Sequence, residues 1–507
     1  MNHTISRRRF VALASFCGFA GVGGAGTLRG SRAQTMPVRR DAHSIDPDSE
    51  EGRRLRLAFA ILQQNDLVSA QIVFHPAGLT QLARYHAQIC GPNGVRTVVR
   101  AGDPSLRAFF DNEVHFSWWF LPWHRAYLAA VEHLLRDLTA TPELALPYWD
   151  WYRNPDIPPL FREDAFFNPL ADTTRRVGLF APTPTGSPDL PPEQHREGFV
   201  VAPLTFGEFG GGQLVPVTVG DTERVQLRPG RLETMPHNAG HVFVAGHMQD
   251  FTTAGLDPIF FAHHANVDRL WEVWKATLPA GSPPAPQDPS WAAREFTFQN
   301  ASGGALLMAS GDTADPGSLS FRQYGTFGET TEDVSYVYDR TSLSAEDQQL
   351  VDQLRGLPGP APSDGVAAAT ASEPVLALRS DARVLSEKPI TFAAPGATGA
   401  ELTTGTATPS RALVRLVGMS APTRHARLKV IARSADGSTT LLAEHYLIPF
   451  LTSELAALAE TALTIEMPSA AASSALSGDN GRVEVVLEGL LGDEVKLPLR
   501  EAELLLF

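Results

Sequence analysis

Cysteine is almost missing from this 507-residue chain: Cys17 and Cys90 are the only two. Two thiols cannot build a disulfide framework, and they cannot supply the thiolate sets of structural zinc sites or iron–sulfur clusters. Positive charge is also short. Forty-two Lys and Arg stand against 56 Asp and Glu, for a net charge of −14, and an acidic chain of this kind is a poor partner for nucleic acid. No segment beyond the N-terminus is apolar for long enough to cross a membrane. The length, with 43% hydrophobic residues, is enough for two or more packed domains.

What the chain does have is histidine in a pattern. Fifteen histidines are an ordinary number for this length, so their placement carries the information. One cluster is HFSWWFLPWHRAYLAAVE, His115 to Glu132; the other runs from HNAGH, His237 to His241, to DPIFFAHHANVD, Asp257 to Asp268. Few carboxylates sit in ligand position, which argues against a dizinc or di-iron hydrolase with bridging carboxylates. Imidazole-rich sites suit copper, zinc, iron or nickel. His237 and His241 are four apart, which on a helix aims both rings at one metal. His264 opens a segment whose Val267, Leu270, Trp271 and Trp274 repeat at helical spacing. His124 opens the helical run RAYLAAVEHLL, and His115 lies near its entrance. A third ligand for that cluster has to come from upstream, from His75 or His86. Paired helices giving three histidines to each of two metals would form a four-helix bundle metal site.

These motifs resemble the type-3 copper family of tyrosinases, catechol oxidases and hemocyanins. His115, Phe120, Trp123, His124, Arg125, Leu128 and Glu132 match its first copper signature. Asp257, Pro258, Phe260, Phe261, His264 and Asp268 match the second, with His264 rather than His263 as the ligand. LETMPHNAGH, VHFSWWFLPWHRAYL and FTTAGLDPIFFAHHANVDRLW look most like the plant-type polyphenol oxidases. So does YHAQIC, which by this resemblance makes His86 the third ligand. The resemblance thus implies one copper on His86, His115 and His124 and a second on His237, His241 and His264. It also implies a thioether between Cys90 and His115, Asp268 as a carboxylate behind the ligands, and Phe251 as an aromatic gate over the site.

The implied chemistry is oxidation of phenols by dioxygen. A phenol has a pKa of about 10, so binding as phenolate needs a nearby base. By resemblance Glu233 and Asn238 hold a water that takes this proton. That favours ortho-hydroxylation of monophenols as well as oxidation of o-diphenols to o-quinones. Two alternatives stay open: a catechol or o-aminophenol oxidase, favoured by the bulk of Phe251 and Val242, and a hemocyanin-like oxygen carrier. Phenols and dioxygen are the expected partners, and a copper chaperone is a candidate one.

The N-terminus, SRRRFVALASFCGFAGVGGAG followed by SRAQT, resembles a twin-arginine export signal cut after Ala33, which predicts a periplasmic or secreted protein. Removing residues 1–33 takes away five arginines and no acid, moving the charge from −14 to −19. It also takes away Cys17, so the mature chain can form no internal disulfide. Residues 34–340 read as the mainly α catalytic domain. Its last part, 276–340, is richer in Pro, Gly, Ser and Thr and ends at Tyr336-x-Tyr338, a motif that by resemblance meets Arg39 or Arg40 through a cation–π contact. Residues 341–375 read as a linker, most clearly over 356–375. From 376 to 507, runs such as RALVRLVGM, RLKVIARSA and RVEVVLEGLL alternate with period two. They predict an all-β sandwich, which by resemblance shields the copper site and leaves the enzyme latent.

Overall fold

A computed structural model describes residues 36–68, 77–90, 114–163, 167–292, 295–296, 324–325, 336–356, 373–393, 409–449, 459–477 and 480–507. The export signal, Cys17, His75, the Cys90 side chain and residues 357–372 of the expected linker lie outside the described residues. Met36–Phe507 forms one compact unit.

The chain begins with a two-residue strand, β1 (Val38–Arg39), then helix α1 (Glu50–Val68) and helix α2 (Leu79–Cys90). Leu55, Ala58, Phe59 and Leu62 give α1 one buried stripe at helical spacing. Helix α3 (Phe120–Thr139) is buried along nearly its whole length and stops where Ala140 turns left-handed. A hairpin of β2 (Val215–Val219) and β3 (Thr222–Leu227) follows, turning at Gly220, whose φ is +62°. Then come helix α4 (Asn238–Val244) and helix α5 (Ile259–Thr277). Helix α1 packs on α2 and α3, and α3 packs on α5.

Strands β4 (Glu295–Phe296) and β5 (Tyr324–Gly325) pair with each other. Strand β6 (Val337–Tyr338) returns to lie parallel to β1. This pairing delivers Arg39 to the interior. Its guanidinium carbon lies 3.4 Å from the Tyr336 ring centroid, and it bonds Glu132 at 2.8 Å and Asp268 at 3.3 Å. Asp268 also accepts from Arg125, Tyr336 and Tyr338. The tyrosine motif therefore meets Arg39. Arg40 points outward, to Glu51.

The expected linker is partly wrong. Helix α6 (Ala345–Arg355) occupies its first half, with the Ser344 hydroxyl capping the Asp347 N–H at 3.0 Å and Leu350 and Val351 buried. The Ser-x-x-Asp start and the apolar pair are the local reasons.

The C-terminal strands are β7 (Leu376–Ser380), β8 (Val384–Leu385), β9 (Ile390–Phe392), β10 (Ala412–Ser420), β11 (Ala426–Arg433), β12 (Thr439–Leu447), β13 (Ala459–Met467), β14 (Arg482–Gly489), β15 (Leu497–Pro498) and β16 (Glu501–Leu506). One sheet has the order β2-β3-β13-β10-β16-β7 and another β12-β11-β14-β9. Val414, Leu416, Ile465 and Leu504 of the first share a core with Leu428, Val430, Val483 and Val485 of the second. The first sheet crosses the expected domain boundary, because β3 pairs in parallel with β13, Val225 against Ala459. Among the described residues no helix is long and apolar enough to cross a membrane.

Breaking a buried ionic cluster strands the remaining charges. Asp268→Ala should therefore cost about 3–5 kcal/mol in chemical denaturation, while Arg40→Ala at the surface stays within about 0.5 kcal/mol. Equal effects would contradict the cluster's structural role.

Candidate metal centre

Six histidines expected as ligands converge from separate elements, and all six are buried. Helix α2 supplies His86, the first turns of α3 supply His124, and α5 supplies His264. His115 precedes a left-handed Phe116 with φ +58°, a conformation costly for a non-glycine residue. The Glu233 carboxylate holds that turn by accepting the Phe116 N–H at 2.7 Å. His237 closes a π-helical turn, Glu233–His237, that contains Pro236; a widened turn tolerates the missing N–H. His241 follows on α4.

The rings lie against one another. His124 and His264 stack at 4.3 Å between centroids, His237 and His241 meet at 4.6 Å, and His86, His115 and His124 lie within 5.7 Å of each other. His115 and His237 stand 6.0 Å apart, linking the two groups of three.

The outer nitrogens show what the inner ones are for. The Nδ1 atoms of His86, His124 and His241 lie 2.9, 2.8 and 2.6 Å from the carbonyls of Phe251, Phe120 and Met248. A carbonyl only accepts, so each Nδ1 carries the proton and each Nε2 presents a lone pair. The Asn238 amide donates to the Tyr446 carbonyl at 2.9 Å, which turns its Oδ1 to His237 Nδ1, also at 2.9 Å, and fixes the same tautomer there. His241 Nε2 then lies 3.1 Å from His237 Nε2 with no proton to share. Two lone pairs at that distance need a cation. The Nε2 atoms of His86 and His124 meet no hydrogen-bond partner among the described residues. Tied-back Nδ1 atoms and open Nε2 atoms are the pattern of metal ligands, and an all-imidazole set fits copper.

Burial pushes the pKa of all six histidines down, to about 4 at His86 and about 3 at His241, and neighbouring imidazoles add to it at every one but His86. The site therefore keeps its rings neutral, the form that binds metal.

Phe251 lies where the gate is expected. Its ring stacks on His86 at 5.8 Å and meets His115 edge-on at 4.5 Å. Val242 is buried on α4. Asp268 requires a correction. Among the described residues it bonds no imidazole; its oxygens go to Arg39, Arg125, Tyr336 and Tyr338. It anchors the helices that carry the ligands rather than backing a ligand ring. The Cys90 side chain and His75 lie outside the described residues, so the thioether has no structural account.

Sequence reasoning missed two features. His263, set aside as a neighbour, has its ligand atoms within 4.8 Å of those of His237, His241 and His264, and its ring packs on Trp151 at 4.8 Å. Gly240 makes room for it, since a Cβ there would lie 2.4 Å from His263 Cε1. The second is Tyr446, whose carbonyl takes the Asn238 amide; nothing in its sequence neighbourhood signals that contact.

Residues 76–202 and 212–277 match the model of the common central domain of tyrosinase. The latent form of an apricot (Prunus armeniaca) chloroplastic polyphenol oxidase is 33% identical over 263 residues, 48% of this chain and 42% of that protein. Catechol oxidase B of Solanum tuberosum is 29% identical over 309 residues, 56% of this chain and 48% of that one. The chain thus spans less than half the length of these curated relatives. Among solved structures, a latent aurone synthase (polyphenol oxidase) superposes with a TM-score of 0.57 at 20% identity, covering 94% of this chain and 90% of that one. At that identity the likeness concerns the fold.

Depressed histidine pKa values carry a stability consequence. Between the folded values and the unfolded value near 6.5, the unfolded chain binds more protons. Metal-free protein should be stable above about pH 6.5 and lose thermal stability as pH falls toward about 4. Copper should move that loss to lower pH, because metal and proton compete for the same lone pairs. A midpoint equally flat with and without copper would contradict this.

Proposed function

The chain carries a type-3 copper domain of the tyrosinase family and is homologous to plant polyphenol oxidases, and from that premise we propose that the whole protein is a latent, copper-dependent phenol oxidase. The observation that carries this reading is the set of buried, neutral imidazoles whose Nδ1 atoms are tied back and whose Nε2 atoms face one another. Helices α2, α3, α4 and α5 act as the four-helix cradle. His86, His115 and His124 would hold one copper, and His237, His241 and His264 the other. Bound copper supplies one-electron exchange with dioxygen and a Lewis acid for a phenolic oxygen.

The chain's own residues do the rest. Phe251 offers a ring face above His86 on which a phenol can stack. The buried aromatic walls, among them Phe120 and Phe260 beside the imidazoles, exclude bulk water. Glu233 and Asn238 flank His237, and a water held between them takes the proton of an incoming monophenol. On this reading the enzyme hydroxylates monophenols and oxidises o-diphenols to o-quinones. The β-sandwich after residue 376 serves as the shield that makes it latent. The twin-arginine segment sends the folded protein to the periplasm or the medium.

A second reading, oxidation of o-diphenols alone, has an observation of its own. One Glu233 oxygen is engaged by the Phe116 N–H, and the Asn238 amide is engaged by Tyr446. Both members of the pair have structural duties in the intact chain.

Oxygen uptake by the copper-loaded protein, after cleavage within residues 357–372 has released the β domain and with it the Tyr446 contact, separates the two. With the monophenol reading, Asn238→Gly lowers monophenol turnover at least about tenfold more than catechol turnover, within the range of a lost acid–base contribution. Equal losses would support the diphenol-only reading.

A further inference from the structure

We propose that strand β12 makes the latency reaction-selective: the backbone carbonyl of Tyr446 takes up the Asn238 amide, so that the docked β domain suppresses monophenol hydroxylation more than o-diphenol oxidation. This rests on the phenol-oxidase reading above and adds a specificity-determining contact to it.

Strand β12 lies on the copper-site side of its sheet and is fastened at several points. Gln194 Nε2 donates to the Leu442 carbonyl at 2.6 Å, and the Ser187 N–H donates to Glu444 Oε2 at 2.9 Å. The Tyr446 hydroxyl donates to the same carboxylate at 3.0 Å, and Arg427 pairs with its other oxygen at 3.3 Å. These contacts fix the height and register of β12 over the helical turns that carry Glu233 and His237. The strand reaches those turns twice. His445 lies against the backbone of Thr234, and the Tyr446 carbonyl accepts from Asn238. Tyr446 and Ile448 pack into the same apolar core as Phe120, Phe251 and Phe260.

Asn238 is thereby held at both ends of one amide. Its Nδ2 is on Tyr446 and its Oδ1 is on His237 Nδ1. An amide pinned at both ends cannot turn about its side-chain bonds to present either atom to a water beside Glu233. Turning it would also break the buried bond to the Tyr446 carbonyl, which is unfavourable. If β12 is released, that restraint disappears while His237 keeps its Oδ1 acceptor. An o-diphenol loses its proton more readily and depends less on this water. The contact therefore acts on one of the two reactions.

The test uses full-length, copper-loaded protein and reads the ratio of monophenol to catechol kcat/KM. Gln194→Ala combined with Glu444→Gln loosens β12 without altering a copper ligand, Glu233, Asn238 or Phe251. The ratio should rise about three- to tenfold, the span of one net hydrogen bond. The same pair of substitutions in an Asn238→Ala background should leave the ratio unchanged, which a general loosening of the shield would not do. Three results overturn the proposal: an unchanged ratio with catechol turnover and copper content intact, an equal rise of both rates, or the same ratio change without Asn238. If the double variant does not fold, Gln194→Ala alone is read by the same criteria. Absence of oxygen uptake with either phenol in every copper-loaded variant would overturn the functional reading itself, and this inference with it.

Discussion

Six imidazoles buried side by side cannot carry charge, and that single constraint shapes the molecule around them. Each ring is neutral because its charged form would be stripped of water among its like neighbours. A neutral ring has one donor and one acceptor, and the protein spends the donor on the outside. Phe251, Phe120 and Met248 carbonyls and the Asn238 amide oxygen receive four of the six Nδ1 protons. What remains inside is a set of lone pairs that only a cation can reconcile. The aromatic residues that crowd the sequence around these histidines supply the dry walls this arrangement needs.

The rings come from four helices, a π-helical turn and a loop, so these elements must be held in register. The Asp268 cluster does this from the far side. Arg39, Arg125, Tyr336 and Tyr338 converge on one carboxylate and tie β1, α3, α5 and β6 together. Such a cluster contributes little net stability for the desolvation it costs, but it has few alternative arrangements. The Phe116 turn is a second fixed point. Its left-handed backbone is paired to Glu233, so the segment carrying His115 and the turn ending at His237 cannot shift independently.

The gathering of histidines was legible in part: the four-residue spacing of His237 and His241 aims both rings one way on a helix, and His124 and His264 stand on runs of helical period, whereas His86 entered through the resemblance. Helices α3 and α5 were legible from their apolar period. Arg39 could not be separated from Arg40, since the distinction depends on which side of a two-residue strand faces inward. Asp268 was misassigned for a similar reason: a carboxylate one turn from a ligand is as well placed for an arginine on another helix. The β2–β3 hairpin carries its own signals in VPVTV, Gly220 and TERVQL, but its parallel pairing with β13 spans more than 200 residues and leaves no local trace. The Tyr446–Asn238 contact is made by a backbone carbonyl, which every residue has.

The imidazole geometry requires two metal ions to be held by two separable groups of three rings. Copper content of the full-length protein, loaded and then dialysed, measures this. About two copper ions per chain, falling to about one in either His86→Ala or His241→Ala, is the outcome the imidazole geometry predicts. Binding of a single copper by the wild type, or retention of both by the two variants, would contradict it.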